Sequence, residues 1–171
     1  MLWHEVDFSK IKKTPGSRGG FDIKYNENPL KFQIPLGRCN YGFNSFTNDR
    51  GVASYSMNID YVAHQSFQNW FGDLENAIGS PEPFVSNLKD ENLRVKIDET
   101  TLILNWVQQV ENVAVKDGAL RDCELLAIVE IPSVYFFRDQ YGLTVKAAQI
   151  RYKYDPREPA KAKFLFDPSL L

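Results

Sequence analysis

Early in the chain, apolar and polar residues alternate with period two on both sides of a turn. Phe21, Ile23 and Tyr25 alternate with Asp22 and Lys24; after Asn26-Glu27-Asn28-Pro29 the pattern resumes as Leu30, Phe32 and Ile34 against Lys31 and Gln33. Such alternation gives each segment one buried and one polar face, and the intervening turn predicts that the two pair as a hairpin. Pro35 then leads out of the sheet into LGRCNYGFNSF, where Arg38, Tyr41, Phe43 and Phe46 are interleaved with Gly and Asn. These rings either fold back into the core, as large aromatics mostly do, or present stacking surfaces; Tyr41 is the better stacker, because its hydroxyl tolerates water.

Before this stretch, residues 10–20 (KIKKTPGSRGG) read as a solvated basic loop, able to meet phosphate but more often only a wet surface. After it, residues 52–60 alternate again as a half-buried strand. The period then changes to helical: Phe67, Trp70, Phe71, Leu74, Ala77 and Ile78 form one stripe within residues 63–78, closed by Gly79 and Pro81. A stripe of this kind is a core plug rather than a ligand box. A short helical turn is expected at 83–88, followed by strands at 93–97, 101–107 and 123–131. A closing hairpin follows, with its turn at Tyr141-Gly142 and its last strand at 143–154. In that strand the apolar set switches faces after Ala147, which predicts a β-bulge near Ala148. About seven strands with one inserted amphipathic helix give a mainly β fold, a small barrel or sandwich. The expected organisation is one β domain over 1–154, then a linker and apolar tail over 155–171.

Composition adds that 43% hydrophobic and 13% aromatic residues in 171 are enough for a real core. The net charge of −2 hides a division: seven cations face four carboxylates in residues 1–38, seven face fifteen in 39–139, and six face three in 140–171. Two basic ends flank an acidic middle, and if they adjoin they form one positive strip. Cys39 and Cys123 are the sole cysteines, and with no secretory pattern at the start they are expected as reduced thiols of an intracellular protein. No apolar run reaches the length that spans a bilayer, so no membrane partner is expected.

Enzyme signatures are absent. There is no phosphate-binding Gly loop between strand and helix, no GxSxG and no HExxH; His4 and His64 stand without Cys or carboxylate neighbours at metal spacing. No catalytic residue, metal or cofactor is therefore assigned. What remains is a β domain with basic ends and nearby aromatics, the ingredients of a surface that tracks phosphates and stacks bases.

The order VDFSKIK, the basic loop with Arg18-Gly19-Gly20, FDIKYNENPLKFQIP, YGFNSF, YSMNID, an aromatic helix, and a late YGLTVKAAQIRYK resembles the phage-type single-stranded DNA-binding proteins carried by large nucleo-cytoplasmic DNA viruses of algae and protists. The resemblance runs from about Val6 to about Lys153. It implies an OB-like β-barrel that coats single-stranded DNA during replication or recombination, usually with self-association, and a groove formed by Lys31, Tyr41, Phe43, Lys146 and Arg151. Lys24, Arg38 and Lys153 join this candidate set from the polar faces of the same basic ends, with Lys31, Arg38, Lys146 and Arg151 expected on one face. The relatives' acidic tail is missing: Phe164, Phe166, Leu170 and Leu171 make this chain's end apolar. They are expected to contact another protein, a second copy of the chain, or else to complete their own barrel. Viral replication or virion proteins are further expected partners. The competing reading is a virion or scaffold protein that uses the same β domain for protein contacts.

Overall fold

The computed structural model describes residues 1–16 and 18–154; the tail residues Phe164, Phe166, Leu170 and Leu171 lie outside the described residues. In chain order the elements are β1 (Ile11–Pro15), β2 (Phe21–Tyr25), β3 (Lys31–Gln33), β4 (Gly37–Cys39), β5 (Asn44–Thr47), β6 (Ala53–Asp60), α1 (Gln65–Ile78), β7 (Phe84–Val85), β8 (Leu88–Lys89), β9 (Asn92–Ile97), β10 (Leu102–Leu104), β11 (Cys123–Phe137) and β12 (Gln140–Tyr154). Five of them close a barrel in the order β4-β6-β9-β12-β11, with β11 returning to β4. The β9–β12 junction is parallel and the others are antiparallel. A closed five-stranded barrel with this strand order has the OB topology, in which β3/β4, β6, β9, β11 and β12 are the five successive barrel strands.

Alternation explains the barrel wall. Met57 and Ile59 of β6, Leu93, Val95 and Ile97 of β9, Leu125, Ala127 and Val129 of β11, and Leu143, Val145 and Ala147 of β12 are all buried, while the residues between them face outward. The bulge expected near Ala148 is present: Ile128 pairs with Gln149 and Val129 with Ala147, which skips Ala148. α1 plugs the barrel with Phe67, Phe71, Leu74 and Ile78. Trp70 carries the packing outward, edge-on to Trp3 and Phe32 at centroid distances of 5.3 and 5.2 Å. Gly79 ends the helix with φ = 64° and donates its backbone N–H to the Glu75 carbonyl.

Three local expectations are corrected. First, β2 and β3 do not pair with each other. The hairpin is β1–β2, so part of the predicted basic loop is strand, and β2 and β3 instead pair with successive lengths of β11 (Val134 with Phe21, Val129 with Phe32). Fifteen-residue β11 is long enough to serve both. Second, residues 83–88 form no helical turn, because Phe84–Val85 pairs with β12 and Leu88–Lys89 with β9. Third, the β11–β12 turn is Arg138-Asp139, both with positive φ (49° and 59°), as a two-residue hairpin turn demands. Gly142 lies within β12 for another reason: Tyr135 lies across it, and a Cβ there would stand 2.5 Å from the Tyr135 hydroxyl.

Candidate nucleic-acid interface

The outer face of β6 presents Ser54, Ser56 and Asn58, and that of β9 presents Asn92, Arg94 and Lys96. Register sets Asn58 opposite Arg94 and Ser56 opposite Lys96. These residues form the floor of an open groove of about 1170 Å³. One wall comes from the β4–β6 connection with Tyr41 and Phe46; the other comes from the β11–β12 hairpin with Tyr135, Phe136 and Phe137. The N-terminal hairpin adds Arg18, and the β7–β8 segment adds Ser86, Asn87 and Lys89. Among the described residues neither Arg94 nor Lys96 is ion-paired. Unpaired cations over a polar floor, between walls of half-exposed rings, can hold phosphates and stack bases at once.

Each wall has a local cause. Gly42 has φ = 73°, and a Cβ on it would stand 2.5 Å from the Ala119 carbonyl oxygen. The Phe43 N–H donates to that same carbonyl (2.9 Å), and Gly118 N–H donates to the Phe43 carbonyl (2.8 Å). Pinned this way, the segment sends Phe43 wholly into the core and leaves Tyr41 69% exposed. On the other wall, Phe136 packs on Tyr141 at 4.8 Å, and the Arg138 guanidinium lies 5.0 Å from the centre of Phe137. The β7–β8 segment is tied to α1: the Ser86 hydroxyl donates to Glu75 Oε1 at 2.5 Å. Burial pushes the Glu75 carboxyl above its usual range, against the hydrogen bonds from Ser86 and the Asn87 backbone that lower it. Its second oxygen has no hydrogen-bond partner among the described residues.

Of the eight expected nucleic-acid contacts, Tyr41 lines the groove. Phe43 is corrected outright: with no exposed surface it is a core residue and stacks nothing. Lys31, Arg38, Lys146, Arg151 and Lys153 do gather on one side, the outer face of β3/β4, β11 and β12, but this is not the groove. There β11 inserts Glu124 and Glu130 between them. Glu130 is in register with both Lys31 and Lys146, and Glu124 with both Arg38 and Lys153. The predicted positive strip is therefore interleaved with acid. Lys31 Nζ is 3.8 Å from Glu130, Lys146 Nζ 2.9 Å from Asp98, Lys153 Nζ 3.4 Å from Glu124, and the Arg38 guanidinium 3.4 Å from Asp122. Burial raises the Asp98 carboxyl, but hydrogen bonds from Thr100 and Lys146 outweigh it, and the net shift is downward. Arg151 donates from Nε to the Trp106 carbonyl at 2.8 Å and stacks on the Trp106 ring at 4.6 Å. Lys24 stands beside Lys12 on the β1–β2 hairpin, outside the groove.

Arg94, Lys96, Tyr135 and Phe137 line the groove and are not among the contacts expected from the sequence. Arg94 and Lys96 carried a signal, the clean alternation of 93–97, but nothing local marks that strand as the binding face. The two cysteines are free and buried, directly opposed across β4 and β11; burial pushes the Cys39 thiol to about 11 and the Cys123 thiol to about 12.

An OB barrel whose second and third strands floor a groove, with the loops after the first and fourth strands as its walls, has the layout of the oligonucleotide- and oligosaccharide-binding class. No protein-family model and no curated protein sequence matches the chain. Among solved structures, the single-stranded DNA-binding protein from bacteriophage Enc34 superposes with a TM-score of 0.54 at 12% identity, covering 94% of this chain and 97% of that one. Its C-terminal truncation gives 0.55 at 10% identity (85% and 95% covered), and its complex with single-stranded DNA gives 0.53 at 11% (85% and 96%). At these identities the likeness establishes the fold.

Proposed function

We propose that this chain is a non-enzymatic single-stranded DNA-binding protein whose binding surface is the β6/β9 groove. The observation that carries this reading is the Arg94–Lys96 pair on the groove floor, not ion-paired among the described residues and set between Tyr41 and Phe46 on one wall and Tyr135 and Phe137 on the other. Its fold likeness to a phage single-stranded DNA-binding protein solved with its ligand supports the choice of nucleic acid over oligosaccharide. The phosphate backbone lies along Arg18, Lys89, Arg94 and Lys96, while bases stack on the exposed rings. We further assign the protein to viral DNA replication or recombination inside the infected cell, in a large DNA virus, as the sequence resemblance implies. Self-association through the apolar C-terminal segment, and contacts with other viral replication or virion proteins, belong to the same reading.

The test is a titration of labelled oligo-dT followed by fluorescence anisotropy at several salt concentrations. Binding through the groove weakens with log salt at a slope of about −0.7 per phosphate contact. Absence of binding at low salt removes the proposal and favours a virion or scaffold role.

A further inference from the structure

The two groove walls meet. Arg138, at the β11–β12 turn, lies 3.7 Å from Asp49, at the β5–β6 turn. Strand register makes this contact informative. β12 runs parallel to β9 with Lys146 beside Lys96, so its beginning, and with it the Arg138 turn, extends past the start of β9. β6 runs antiparallel with Tyr55 beside Ile97, so the β5–β6 turn extends past the end of β9. In a flat sheet the two tips would stand roughly 40 Å apart, about a dozen steps of about 3.3 Å. They touch because both hairpins curl towards each other over the outer face of β9, where Arg94 and Lys96 lie; residues of both hairpins and of β9 line one groove. Both tips are internally ordered: Asn48 Oδ1 accepts from the Arg50 and Val52 N–H groups, and Arg138 and Asp139 form a tight turn. The link itself is weak, since both side chains are largely exposed, and such pairs contribute about 0–1 kcal/mol.

We infer that Asp49 and Arg138 form a clasp that arches over the groove and turns it into a tunnel, so that a bound single strand is encircled. This rests on the groove being the single-strand site. A linear strand then enters by threading or by clasp opening, whereas a covalently closed circle enters only when the clasp opens. The weakness of the pair fits a closure that must open to load.

The experiment uses the full chain carrying Asp49→Cys and Arg138→Cys, bridged by a short bismaleimide. Cys39 and Cys123 are buried and leave the reagent to the new thiols. Binding is measured on linear single-stranded DNA with unmodified ends and on a circle of the same sequence. The unbridged variant is expected to bind both. The bridged protein is expected to keep its affinity for the linear strand and to lose more than about tenfold on the circle, beyond what an exposed ion pair could account for. Bridging after loading is expected to leave the protein trapped on the circle under competitor, yet able to slide off the linear strand. A bridged protein that binds and leaves circles as freely as linear strands overturns the clasp, as does one that binds neither form while the unbridged variant binds both. If wild-type protein binds no single strand at all, the functional reading fails instead.

Discussion

Removing the two groove cations separates this site from the basic face that the sequence suggested. In Arg94→Ala/Lys96→Ala both cations leave exposed positions on β9 where neither is ion-paired among the described residues, so no carboxylate is left stranded and the fold keeps its stability. Each lost phosphate contact lowers the salt slope by about 0.7, so the pair lowers it by about 1.4. At about 0.1 M salt each contact contributes roughly a factor of five, and the double variant should bind about 25-fold more weakly, a loss of about 2 kcal/mol. The matched control is Lys31→Ala/Lys146→Ala, which removes the same charge from the adjoining, acid-interleaved face of β3, β11 and β12. Those lysines already face Glu130 and Asp98, so affinity should change by less than about twofold with an unchanged slope. Oligo-dT anisotropy from low to high salt reads both quantities, and thermal melting checks that each variant folds. Equal losses in the two variants, or a larger loss in the control, would refute the assignment of the groove.

Tyr41→Ala and Phe137→Ala should each cost about 1–3 kcal/mol of single-strand affinity with little change in melting temperature, whereas Phe43→Ala should cost about 3–5 kcal/mol of stability by chemical denaturation. Glu75→Gln should stabilise the fold: burial raises the carboxyl of Glu75 in the folded state, so the ionised form carries a penalty that is absent below the ordinary glutamate range and grows as pH rises through the folded value. Urea melts should show a gain at pH 7 that disappears near pH 4; a loss at pH 7 would mean that the ionised carboxylate is needed to hold Ser86. Cys39 and Cys123, buried and pushed to about 11 and about 12, should resist maleimide at pH 8 until the protein is unfolded, as mass spectrometry of the labelled chain would show.

What a single chain can reveal about such a fold depends on whether the information is local. Period-two burial is local, and so the strands expected at 52–60 and 93–97 and the bulge near Ala148 were legible, while 123–131 was legible only as an apolar run of strand formers. The helical stripe ending at Gly79 was legible for the same reason. Pairing is not local: Phe21–Tyr25 and Lys31–Gln33 look like the arms of a hairpin, yet each has a partner more than ninety residues away on β11. The same limit governs the site. Alternation correctly turned Lys31 and Lys146 outward, but it could not see Glu130 in register between them, nor that Asp98 would reach Lys146. Conversely, Arg94 and Lys96 looked like ordinary outward residues of an ordinary strand. They become a binding surface only because β9 is the third strand of a closed barrel, overhung by two hairpins that sequence places about forty residues before it and forty after. In a barrel of this kind an outward cation acquires a role from what stands across from it, and the number of basic residues in a segment says little about where phosphate would bind.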